Sequence, residues 1–113
     1  MKKLIILSLI LVAIGAHGKT LITQDGRMSL LVSDGKIVIR TPEADDVLPC
    51  VLAKQAPGTY SSQADKWDGY FYQCSNGLTV SVKHYTFNTR KDEVFIFESE
   101  KVMYTDQLQG KLK

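Results

Sequence analysis

The residues able to do chemistry are few, and their spacing narrows what that chemistry is. Cys50 and Cys74 are the two cysteines of a 113-residue chain. A redox pair takes Cys-x-x-Cys spacing, which is absent. A zinc site needs more soft ligands than two thiols and a lone histidine supply. His17 falls in the leader described below, which leaves His84, mid-strand on an alternating pattern where a half-buried structural role is commoner than a chemical one. Carboxylates cluster at Asp45-Asp46 and at Asp65/Asp68. The segment Asp65-Lys66-Trp67-Asp68-Gly69 reads as a turn with two acids, short of the ligand count of a dedicated calcium loop. No Gly-x-Ser-x-Gly elbow and no His-Glu-x-x-His helix occurs. The sequence therefore predicts no catalytic residues, no metal site and no cofactor. For Cys50 and Cys74 it predicts one structural disulfide. Such a bridge closes a loop of about 25 residues, worth roughly 3.5 kcal/mol in the chain-entropy picture.

Oxidation implies export, and the N-terminus reads as its signal. Lys2 and Lys3 precede an apolar run, Leu4 to Ala16, broken by Ser8 and Gly15. Ala16 and Gly18 occupy the −3 and −1 places of a cleavage after Gly18. The run is shorter than the roughly 20 residues of a spanning helix, and no second run of that length follows. Residues 1–18 are thus expected to be a secretory signal peptide, and 19–113 one small domain that is not stably inserted in a membrane. The Lys-Lys start and Leu/Ile-rich core point to a bacterial, periplasmic or secreted protein. Lys2 and Lys3 leave with the leader, so the 14 basic residues of the whole chain fall to match the 12 acidic ones. A neutral mature chain argues against nucleic acid and anionic membrane surfaces as partners.

Without a reactive constellation, the functional candidates are aromatic. Tyr60, Trp67, Tyr70, Phe71 and Tyr72 lie close together, joined to the cysteines and flanked by polar loop. Aromatic side chains with a polar handle are favoured binding anchors. Tyr60, Trp67, Tyr70 and Tyr72 are taken as the binding candidates. The competing reading makes Trp67 and Phe71 core and lets the tyrosines line the sheet.

The elements that must position these groups are strands. Asp25-Gly26, Asp34-Gly35, Asp68-Gly69 and Asn76-Gly77 are four Asx-Gly pairs, suited to type I′ hairpin turns. A two-residue loop at Asp34-Gly35 sets Val32 against Ile37 and Leu30 against Ile39. The turn at Asp25-Gly26 sets Leu21 against Leu30 on the same apolar face. Two independent turns give one register, which predicts a three-stranded meander over 19–41. Residues 42–66 hold all three prolines and read as irregular. A helical turn over Glu43–Asp46, a brief strand at Val51–Ala53 and a turn at Ala56–Thr59 are expected there. A two-residue loop at Asn76-Gly77 puts Phe71, Leu78, Val80 and Val82 on one face. It leaves Tyr70, Tyr72 and Cys74 on the wetter face, an awkward place for a disulfide unless a bulge shifts the register or both faces are partly covered, and a bulge or strong bend near His84 is expected. Val94–Phe97 reads as a central strand and Lys101–Thr105 as the last one. The tail 106–113 reads as loose.

Short strands punctuated by tight turns predict an all-β fold, a small antiparallel sandwich or barrel. The segment Tyr72-Gln73-Cys74-Ser75-Asn76-Gly77-Leu78-Thr79-Val80 resembles the opening strand of the small bacterial lysozyme-inhibitor barrels, in its cysteine, turn and alternating strand. The resemblance is one of architecture and implies no residue roles. The expected function is that of an exported, non-catalytic binding protein, an inhibitor or immunity-type partner of an envelope or extracellular protein. The alternative is a structural, assembly or exclusion factor of an envelope machine.

Overall fold

Leu21, Leu30, Val32, Ile37 and Ile39 fall at alternate positions of three short segments, so a pleated sheet brings them to one face. The computed structural model, which describes residues 18–41, 47–87 and 89–113, buries all five. Residues 1–17, which hold all but the last residue of the expected signal peptide, and the helical turn expected over Glu43–Asp46 lie outside the described residues.

The strands are β1 (Lys19–Ile22), β2 (Ser29–Ser33), β3 (Lys36–Arg40), β4 (Val47–Pro57), β5 (Trp67–Cys74), β6 (Thr79–Tyr85), β7 (Glu93–Glu98) and β8 (Lys101–Gln107). Each pairs antiparallel with the next, and the resulting meander curls into a half-barrel. Its two edges meet at one end, where Thr23 bridges Leu108 and Gln24 N donates to Gln107 O at 2.8 Å. No helix among the described residues is long and apolar enough to cross a membrane.

The first three strands take the register that their turns predict: Leu21 faces Leu30, Leu30 faces Ile39 and Val32 faces Ile37. The turn geometry differs from type I′, which needs two positive φ angles. Only the glycines supply one, at 73° for Gly26 and 70° for Gly35.

The irregular region expected over 42–66 is instead largely strand. β4 runs from Val47 to Pro57 in place of a brief segment at 51–53 and a turn at 56–59. Its two prolines sit where a missing N–H costs little. Pro49 O accepts from Ser75 N at 3.0 Å, so its nitrogen points the same way, at the loop where the ladder ends. Pro57 is the last residue of the strand. Leu52 pairs with Tyr72 and Lys54 with Phe71, which leaves Ala53 as a bulge.

The β5–β6 hairpin corrects a second expectation. Cys74 N donates to Leu78 O and Gly77 N to Cys74 O, with Gly77 at φ 93°. The loop is therefore Ser75-Asn76-Gly77, a three-residue hairpin with glycine in the left-handed position. One extra loop residue exchanges the faces. Tyr70 now meets Val82, and Tyr72 meets Val80, on the buried side. Cys50 and Cys74 face each other across β4 and β5 on that same side, bonded and nearly solvent-free. The awkward exposed disulfide disappears with the wrong register.

Three further differences follow from pairing. Asp68-Gly69 is no turn but lies within β5, opposite His84 and Lys83. No bulge occurs at His84; the second bulge is at Met103, between the pairs Ile96–Tyr104 and Phe97–Val102. The tail is anchored rather than loose. Leu108 and Leu112 are buried with the core, because the chain after β8 turns back along β1, where Gln109 N donates to Ile22 O.

Candidate functional site

Alternation divides the aromatic candidates between two faces. Tyr70 and Tyr72 point into the half-barrel at 5% and 4% exposure, so they line the core and offer no surface to a partner. Burial raises both phenol pKa values, that of Tyr72 to about 12. Tyr60 stands in the loop after β4 and is exposed. Trp67 opens β5 on the outer side, half-buried. The structure thus breaks the predicted set: two residues are core, and Trp67 belongs with neighbours that the sequence reading passed over.

Those neighbours are fixed by register. One row across the outer face reads Lys54, Phe71, Ser81, Phe95 and Thr105. The row on one side of it holds Gly69, Lys83 and Glu93. The row on the other side holds Gln73, Thr79, Phe97 and Val102. Phe71, Phe95 and Phe97 remain half-exposed, and Val102 is exposed. Phe95 and Phe97 stack at 6.4 Å. Ser81, between Phe71 and Phe95, is buried beneath its neighbours.

Cations rest on these rings. Lys83 Nζ lies 4.5 Å from the Trp67 ring centre and 5.4 Å from that of Phe95. Lys54 Nζ lies 5.8 Å from Phe71, and the Arg90 guanidinium 4.2 Å from Tyr85. Each such contact at an exposed site is worth about 0.5–1 kcal/mol. Arg90 is also paired with Asp65, which leaves Lys54 and Lys83 as the ring-bound cations of this face that are free of an ion pair among the described residues.

Trp67 itself is held rigidly. Its Nε1 donates to Thr59 O at 3.1 Å. A Cβ at Gly58 would overlap the indole, so only glycine lets the chain leaving β4 pass that close. The sequence did carry a signal for the platform. Val94 and Ile96 alternate with Phe95 and Phe97, so one apolar pair must face outward. Reading the run simply as a central strand hid that consequence.

The other concentration of chemistry is inside. Asp92, fully buried, precedes β7. Its Oδ1 accepts from Tyr85 N at 2.9 Å and lies 3.0 Å from Lys111 Nζ. Its Oδ2 accepts from Leu112 N at 2.7 Å and lies 2.8 Å from His84 Nδ1. Lys111 Nζ also donates to Tyr85 O and Arg90 O, each at 2.6 Å. A carboxylate that orients a histidine is two-thirds of a nucleophile triad. No hydroxyl or thiol hydrogen-bonds to His84 among the described residues. What this cluster does is fasten the tail. Asp65 and Asp68 do not form a shared site, because Asp65 turns to Arg90 and Asp68 enters β5.

No family model, no curated protein and no solved structure matches the chain.

Proposed function

We propose that the chain is an exported, non-catalytic binding protein, an inhibitor or immunity-type partner of a protein in the cell envelope or outside it. It docks through the outer face of β5–β7. The observation that supports this reading is the group of half-exposed rings on one face, Trp67, Phe71, Phe95 and Phe97, on a disulfide-braced sheet with no second layer over it among the described residues. Aromatic groups that cannot move lose little entropy on docking, which favours affinity.

The test uses oxidised protein from residue 19 onward, mixed with purified cell-wall hydrolases. Activity is read against molar ratio. A stoichiometric loss of one hydrolase's activity, weakened by Phe95→Ser at unchanged melting temperature, is the expected result. Undiminished activity of every hydrolase, at any ratio, refutes the inhibitor role.

The second reading, an assembly factor of an envelope machine, draws on β8. Val102 and Met103 are 47% and 53% exposed on a strand whose outer edge is unpaired up to Asp106. Such edges accept a further strand. Co-purification with membrane complexes, lost on Met103→Pro, separates this reading from the first.

A further inference from the structure

We infer that the outer face of β5–β7 receives an acidic protein surface, with the lysine ammonium groups on their aromatic rings as the recognition elements. This rests on the proposed binding role and names the chemistry of the partner.

Charge complementarity selects the occupant. In the part of these rows that β4 to β7 supply, the side chains with an unpaired positive charge are Lys54 and Lys83, and both ammonium groups sit over rings. The acidic side chain in those rows is Glu93, beside Lys83, and its Oε1 accepts from Tyr85 Oη at 3.4 Å. An ammonium over a ring is positioned without an ion-pair partner, so its charge stays available. A carboxylate that docks there meets a fixed cation, while apolar groups around it cover Phe71, Phe95 and Phe97. Interfaces of this kind gain specificity from the charges and affinity from the rings.

Other occupants fit less well. A sugar stacks on a bare aromatic face, and the face of Trp67 carries Lys83 Nζ at 4.5 Å. Nucleic acid and anionic lipid need a dense basic field. Two unpaired lysines in a chain with 14 basic and 12 acidic residues do not supply one.

Trp67 is the chain's single tryptophan and lies on the platform, so its emission reports occupancy directly. The oxidised protein is titrated with the random copolymer poly(Glu,Tyr), with excitation confined to the indole. Poly(Lys,Tyr), chito-oligosaccharide and phosphatidylglycerol vesicles are run in parallel. A saturable change with poly(Glu,Tyr) alone, weakened by salt, is expected. Replacing both platform lysines, Lys54→Met with Lys83→Met, weakens it by about tenfold, on the scale of a lost charged contact. Lys36→Met, at an exposed lysine that continues the Gln73 row onto β3 but has no ring under its ammonium, leaves it unchanged. Absence of a change with poly(Glu,Tyr) overturns the inference. So does an equal or tighter response to any other probe, or equal weakening by Lys36→Met. If the double variant fails to fold, the four wild-type titrations and Lys36→Met decide alone. A hydrolase inhibited by a protein that ignores poly(Glu,Tyr) sinks the acidic partner and keeps the binding role. Binding of poly(Glu,Tyr) with every hydrolase unaffected does the reverse.

Discussion

The buried carboxylate of Asp92 is met by four donors: Tyr85 N, Leu112 N, Lys111 Nζ and His84 Nδ1. All four lose their acceptor if it is removed. Breaking a buried pair from one side costs about 3–5 kcal/mol, because the other charge stays behind unpaired. Asp92→Ala is therefore expected to lower the urea midpoint sharply and to free the tail to proteolysis after Gln107. A loss below about 1 kcal/mol, the scale of one surface ion pair, would show that the tail is held by Leu108 and Leu112 alone. Gly58 poses the opposite problem, one of excess volume. Its added Cβ would meet Trp67 Cε2 at 2.1 Å, so Gly58→Ala must displace the indole and break its bond to Thr59 O. The expected signature is a red-shifted emission with the Cys50–Cys74 bond intact. An unshifted spectrum would mean that the backbone at Gly58 yields and the ring does not. Of these residues the sequence marked Trp67 as special. Asp92 drew no such mark, since an acid beside Arg90 and Lys91 looks solvated. What buries it is a tail that arrives from the far end of the chain.

At the scale of strands and turns, the sequence was most informative where two constraints overlapped. Two Asx-Gly turns and one apolar alternation agree on the register of β1 to β3, and the structure keeps every pair. The β5–β6 hairpin had one turn and two apolar faces, Tyr70/Tyr72 against Phe71, so a single loop residue decided the outcome. Gly77 carries that decision at φ 93°, a conformation with a steric cost for any residue bearing a Cβ. Gly77→Ala is expected to cost about 1–2 kcal/mol in denaturant unfolding, while Asn76→Ala costs only the bond from Leu78 N to Asn76 Oδ1. Equal losses for the two variants would mean that the loop escapes its left-handed residue, and the register argument with it. β4 was illegible for a related reason. Prolines usually argue against a central strand, and nothing local reveals that Pro49 aims its nitrogen past the end of the ladder. The platform was half legible: Trp67 and Phe71 lay in the marked segment. Lys54, Lys83, Phe95 and Phe97 join them through cross-strand neighbours that no local window contains.

Across the whole molecule, folding withdraws four tyrosines wholly or partly from water, and their phenols resist ionisation. Burial is the largest cause for Tyr70, Tyr72, Tyr85 and Tyr104 alike, and Tyr72 rises from 10.0 to about 12. The shift fixes how stability depends on pH. Below pH 10 the folded and unfolded chains both keep the Tyr72 proton, so its contribution is fully present. Between pH 10 and about 12 the unfolded chain releases it while the folded chain holds it. Unfolding then releases protons, and stability falls as pH rises, by about 3 kcal/mol for Tyr72 across the window. The other three add losses of the same sign. A domain this small has a margin of only about 5–10 kcal/mol, so alkaline unfolding is expected before the native phenols titrate. Absorbance and circular dichroism, followed together, check it: phenolate absorbance of the buried tyrosines should rise with the loss of strand signal, not ahead of it. Tyr72→Phe sharpens the test, since it removes the ionisable group and keeps the ring against Val80, and it should move the alkaline midpoint upward. An unmoved midpoint would assign the transition to the tyrosines near the tail, Tyr85 and Tyr104, and place the first opening of the half-barrel at its closing bridge.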